Sequence, residues 1–92
     1  MPKEYRARHI LLEYKEDADY VLKQLNTGAD FSELAKEYSE CNSSEQGGDL
    51  GRFLSGQMVP EFERALSKLA EDEVSGPIKT KFGYHIIQRL KI

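Results

Sequence analysis

Apolar residues recur at i, i+3, i+4 and i+7 in three places: Ala18/Val21/Leu22/Leu25, Phe31/Leu34/Ala35/Tyr38 and Phe62/Ala65/Leu66/Leu69. That spacing lays one stripe along a helix, so each segment predicts an amphipathic helix with a single face for a core. Flanking residues place the ends. Asn26-Thr27-Gly28 stops the first helix, because a glycine just past the last turn takes positive φ at little cost. Asp30 and Glu33 form a capping box for the second, and the fixed φ of Pro60 suits the first turn of the third.

Two other segments carry strand-forming residues: 5–14, rich in Ile, Leu and Tyr, and 83–92, with Tyr84, Ile86, Ile87 and Leu90. Shorter strands are expected at 49–54 and 74–78, bounded by Gly47-Gly48, Gly56 and Gly76-Pro77. The order β, α, α, β, α, β, β is that of an α+β fold with helices covering a small sheet. The stretch 39–48, rich in Ser, Asn and Gly, has no periodicity and is as long as a functional loop.

Composition narrows the class. A chain of 92 residues supports one core, so a single domain spanning 1–92 is expected. With 39% hydrophobic and 32% charged residues it is too apolar to be disordered. No apolar run approaches the roughly 20 residues of a membrane span, and the start, Met1-Pro2-Lys3-Glu4, lacks the apolar centre of a signal peptide. A soluble chain without a membrane partner follows. Against 16 Asp and Glu there are only 13 Lys and Arg, a net charge of −3 that argues against a nucleic-acid partner. The lone Cys41 excludes an internal disulfide and suits a reducing, cytoplasmic compartment, although a domain cut from a longer exported protein would read the same. Without a long exposed apolar segment, a monomer is the expectation.

Candidate chemistry is sparse. His9 and His85 each sit among aliphatic residues of a predicted strand, and on residue type alone they read as hydrogen-bonded core imidazoles. A zinc site from His9, His85 and Cys41 lacks the closely spaced ligand pair such sites use, so neither metal nor other cofactor is expected. A cysteine hydrolase built on Cys41 lacks a nucleophile signature and room for an oxyanion hole. Three glycines around Asp49 and Leu50 suggest close backbone approach. Met58 precedes the third helix and Phe62 opens its stripe, a pairing that is more often core than pocket.

Read together, seven segments resemble the parvulin family of peptidyl-prolyl cis/trans isomerases over nearly the whole chain. They are Arg8-His9-Ile10-Leu11, Phe31-Ser32-Glu33-Leu34-Ala35, Tyr38-Ser39-Glu40-Cys41, Gly47-Gly48-Asp49-Leu50-Gly51, Gly56-Gln57-Met58-Val59-Pro60-Glu61-Phe62, Gly76-Pro77-Ile78 and Lys81-Phe82-Gly83-Tyr84-His85-Ile86-Ile87. The resemblance implies a four-stranded antiparallel sheet with the first and last strands as central neighbours, covered by about four helices, one of them short and lying between the second helix and the second strand. It assigns His9, Cys41, Thr80 and His85 to a catalytic network and Leu50, Met58 and Phe62 to a proline pocket, with Phe82 as an extra wall. Those three pocket residues would then be withheld from full burial. The implied activity is acceleration of X-Pro rotation in unfolded or partly folded polypeptides; the alternative is a proline-segment-binding chaperone domain without turnover.

Two finer expectations attach to this resemblance. Family members with aspartate at the Cys41 position argue for non-covalent catalysis. Phosphate-selective members carry a basic cluster after the first strand, whereas Glu13-Tyr14-Lys15-Glu16-Asp17 is net acidic here, which implies no phospho-dependence and a preference for neutral or basic residues before proline.

Overall fold

The computed structural model describes residues 3–92; Met1 and Pro2, on which part of the signal-peptide argument rests, lie outside the described residues. In chain order the elements are β1 (Glu4–Leu12), α1 (Lys15–Asn26), α2 (Phe31–Tyr38), a 3-10 helix (Asn42–Gln46), β2 (Asp49–Leu54), α3 (Pro60–Ser67), β3 (Ile78–Thr80) and β4 (Gly83–Arg89). The strands form one antiparallel sheet in the order β2-β1-β4-β3, so the first and last strands are central neighbours as the resemblance implied.

Both faces of the sheet are covered, by different helices. The stripes of α1 and α2 place Ala18, Val21, Phe31, Leu34 and Ala35 against Ile10, Leu12 and Ile86. On the opposite face α3 sets Phe62 and Leu66 against Tyr5, Ala7, Phe53 and Ile87. This explains why β1 alternates between buried and half-exposed residues at its start yet buries both His9 and Ile10 further on: only there do the two helix layers overlap. His9 pairs with Ile87 and Leu11 with His85, so the two histidines lie diagonally on the α3 face.

Helix ends follow local chemistry. Gly28 closes α1 at φ 102°, and the Asp30 carboxylate accepts the Glu33 N–H at 3.0 Å to open α2. Pro60 opens α3, which ends at Ser67, so Leu69 packs on the core from beyond the helix. The short helix inside 39–48 is of the 3-10 type.

Besides the two long strands, which end at Leu12 and Arg89 rather than at 14 and 92, two further boundaries differ from the sequence reading. The strand expected at 74–78 reduces to a single bridge between Val74 and Gln88, and Ile78 instead opens β3. Pro77 has no N–H to give a ladder, so regular pairing starts only after it. The loop read as 13–17 is shorter, because Lys15 already begins α1 and Glu16 and Asp17 occupy its first turn, where acidic groups suit the helix dipole.

Candidate active site

A bulge in β2 aims the first wall of the site. Arg6 faces Arg52 and Arg8 faces Asp49, so Leu50 and Gly51 together oppose Ala7. Gly51 takes φ 70° and its N–H donates to Asp49 Oδ1 at 2.8 Å. Phe53 lies on the α3 face, and strict alternation would turn Leu50 to the other side; the extra residue returns it to the α3 face, against the Phe62 and Met58 cluster.

Gly48 fixes the second element. Its carbonyl accepts the His9 N–H at 3.0 Å, and at φ 86° a Cβ on Gly48 would stand 2.5 Å from the His9 carbonyl oxygen. Gly48→Ala is therefore expected to lower stability by about 1–3 kcal/mol and to displace His9. Urea unfolding together with the His9 ring resonances checks this; a variant as stable as the parent with unmoved resonances would refute it.

The imidazoles of His9 and His85 meet at 2.9 Å between their Nδ1 atoms, although 76 positions separate them in the chain. Their rings stack with centroids 5.1 Å apart, and the Phe62 ring stands edge-on to both. His85 Nε2 lies 2.7 Å from Thr80 Oγ1, which also accepts the Phe82 N–H at 3.1 Å. Burial pushes both imidazoles down to about 4, for His9 with added repulsion from His85, so both are neutral at pH 7.

One proton arrangement satisfies this chain. The Thr80 hydroxyl accepts from Phe82 and donates to His85 Nε2, and His85 Nδ1–H donates to His9 Nδ1. His9 then carries its proton on Nε2, a buried atom without a protein partner in a residue that lines the cleft. The opposite tautomers would leave the Thr80 hydroxyl proton without an acceptor among the hydrogen bonds present.

Cys41 comes to the cleft through the loop after α2. Glu40 N–H donates to Leu11 carbonyl at 2.8 Å and Leu11 N–H to Ser39 Oγ at 3.0 Å, which fastens this loop to β1. Cys41 is half-buried.

These elements enclose a cleft of about 380 Å³. Seven of the eight residues singled out in the sequence line it: His9, Cys41, Leu50, Met58, Phe62, Phe82 and His85. Thr80 does not; its hydroxyl reaches the cleft only by way of its hydrogen bond to His85. Phe62 is not held back from burial as expected. At 2% exposure it is the floor of the cleft, while Phe82, 60% exposed, stands at the rim. Leu11, Gln57 and Val59 also line the cleft and were not singled out. Leu11 was legible by alternation from His9, and Gln57 and Val59 both lie in the segment 56–62 that carries the family resemblance.

Across Phe82 a second, shallower cleft gathers Glu13, Lys15 and Glu16 opposite Lys79 and Lys81. The segment 13–17, net acidic in sequence, thus borders a rim of mixed charge, because the β3–β4 hairpin brings in lysines distant in sequence. No cluster of three His, Cys, Asp or Glu side chains among the described residues could hold a metal ion. No helix among them is long and apolar enough to cross a membrane.

Comparison with known proteins agrees with this geometry. The PPIC-type PPIase domain (rotamase) profile matches residues 6–91. Foldase protein PrsA 1 of Bacillus cereus is 54% identical over 86 residues, covering 92% of this chain and 30% of the foldase. The crystal structure of the peptidylprolyl isomerase PrsA from Bacillus anthracis superposes with a TM-score of 0.94 at 48% identity, covering 97% of this chain and 41% of that one. The solution structure of NmPin, the parvulin of Nitrosopumilus maritimus, gives a TM-score of 0.84 at 43% identity over 96% of both chains. The chain spans under a third of the foldase's length, and the comparison lends no support to the cytoplasmic placement drawn from the lone cysteine. With the rotamase profile running through both histidines and Cys41, and with a parvulin matching end to end, the chain belongs to the PPIC-type, or parvulin, family of peptidyl-prolyl isomerase domains.

Proposed function

We propose that this domain catalyses cis/trans isomerisation of X-Pro bonds in unfolded or partly folded polypeptides, without a covalent step. The observation that carries the reading is a neutral imidazole pair beside Cys41 at the wall of an otherwise apolar cleft. Rotation about the prolyl bond costs about 18–20 kcal/mol because amide resonance is lost in the twisted state. No bond has to break. Leu50, Met58 and the Phe62 floor grip the pyrrolidine ring and exclude water. Exclusion of water disfavours the more polar planar amide relative to the twisted form, and the rigid chain from Phe82 through Thr80 and His85 holds the His9 Nε2–H in one orientation.

A protease-coupled assay on an X-Pro peptide tests the proposal. The wild-type chain should accelerate isomerisation, and Met58→Ala should lower kcat/KM about tenfold through loss of roughly 1.5 kcal/mol of apolar contact. Wild-type rates equal to the uncatalysed reaction would leave only a binding role. Cys41→Asp should keep measurable turnover; a folded Cys41→Asp protein without any would overturn the non-covalent mechanism.

Phospho-independence rests on the mixed rim, where a phosphate near Lys15, Lys79 and Lys81 would also meet the carboxylates of Glu13 and Glu16 rather than a purely basic cluster. In a peptide series varying only the residue before proline, neutral residues should exceed glutamate and phosphoserine in kcat/KM. The reverse order would refute phospho-independence.

A further inference from the structure

Gln57 lies at the end of the cleft nearest the β2–α3 turn and has no part in the histidine network. Its backbone N–H donates to the Leu54 carbonyl at 3.2 Å, and its side-chain Oε1 accepts the Leu54 N–H at 2.7 Å. The chemistry fixes which side-chain atom is which, because an N–H cannot bond to an amide nitrogen. The carboxamide is planar, so pinning the oxygen to the edge strand also sets the Nε2 group, whose two N–H donors have no protein partner.

The other side chains of the cleft leave a clear gap. Leu11, Leu50, Met58, Val59 and Phe62 offer no polar atom able to donate, and the histidine chain leaves only the buried His9 Nε2–H. Cys41 is a weak donor. Yet an X-Pro peptide entering the cleft carries backbone carbonyls that lose water, and each left unpaired costs about 1–3 kcal/mol. Building on the isomerase reading above, we propose that Gln57 Nε2 donates a hydrogen bond to a backbone carbonyl of the bound X-Pro segment and so positions the chain for rotation. The turn from Leu54 to Gln57, closed by its two hydrogen bonds, is the mount that holds this donor before substrate arrives.

Two variants separate the donor from the mount. Gln57→Glu keeps an oxygen for the Leu54 N–H and removes the donor; Gln57→Met removes both and adds no charge. Both should lower kcat/KM on a neutral X-Pro peptide about fivefold, as loss of one hydrogen bond predicts, mainly through KM. Gln57→Glu should do so with an unchanged urea midpoint. In the wild type, the Gln57 side-chain 15N–1H2 resonances should shift saturably as the peptide is added. If those resonances stay in place while the Leu50 and Met58 amides shift, or if both variants keep wild-type kcat/KM, the assignment is wrong and the isomerase reading stands. If the wild type neither binds nor turns over the peptide, both fall together.

Discussion

Phe62→Ala is expected to lower the free energy of unfolding by about 3–5 kcal/mol, the usual cost of hollowing out a buried aromatic position, and to abolish measurable isomerisation. The stability of a domain of this size is typically about 5–15 kcal/mol, so the loss is a large share of the total. The reason lies in where one ring sits. Phe62 is 2% exposed, packs between Tyr5, Phe53 and Ile87 of the sheet, and presents its edge to both imidazoles. Removing it deletes the floor of the cleft and one lateral wall of the histidine pair together. Phe62→Leu supplies the control: it refills most of the volume and should recover more stability than activity. Urea unfolding and the coupled assay on both variants check this. A Phe62→Ala protein with wild-type kcat/KM would show that the cleft is not where proline binds.

Acid should loosen the fold through the same pair. Both imidazoles are pushed down to about 4 by burial, from an ordinary value of 6.5. Between these limits the unfolded chain binds protons that the folded chain does not, so stability is complete above about pH 6.5, falls as the pH drops towards 4, and levels off below. A shift of this size is worth about 3 kcal/mol for the first imidazole to be charged. Protonation of His9 also places two N–H groups face to face at the 2.9 Å Nδ1 contact, and protonation of His85 makes its Nε2 a donor against the Thr80 hydroxyl proton, so activity should fade with stability. Urea melts at several pH values between 4 and 7, with the histidine C2–H resonances followed in parallel, measure both. A flat stability profile, or imidazoles titrating near 6.5 in the folded state, would refute the buried neutral pair.

Local rules made much of the secondary structure legible. Three apolar stripes with their caps marked α1, α2 and α3, since a helix face and its end residues are decided within a few positions. Pro77 and Lys15 show the limits of the same reasoning. The first sits inside the segment expected as a strand, 74–78, and delays pairing until Ile78, and the second starts a helix where the family resemblance put a loop. The family's motifs carried the candidate site further than periodicity could, to seven of the residues that line the cleft.

What the sequence determined by itself is the set of elements, the family and the chemical types available to the site: two imidazoles, a thiol, a hydroxyl and apolar walls. Only the tertiary structure decided how they act. The antiparallel pairing of β1 with β4 brings His9 to His85, the β2 bulge turns Leu50 into the cleft, and α3 closes one face so that both rings stay neutral. The same packing makes Phe62 a floor, moves Thr80 behind His85, and leaves the Gln57 donors free. Helix caps and stripes are short-range properties, whereas burial, hydrogen-bond direction and proton affinity depend on neighbours that the chain supplies from dozens of residues away.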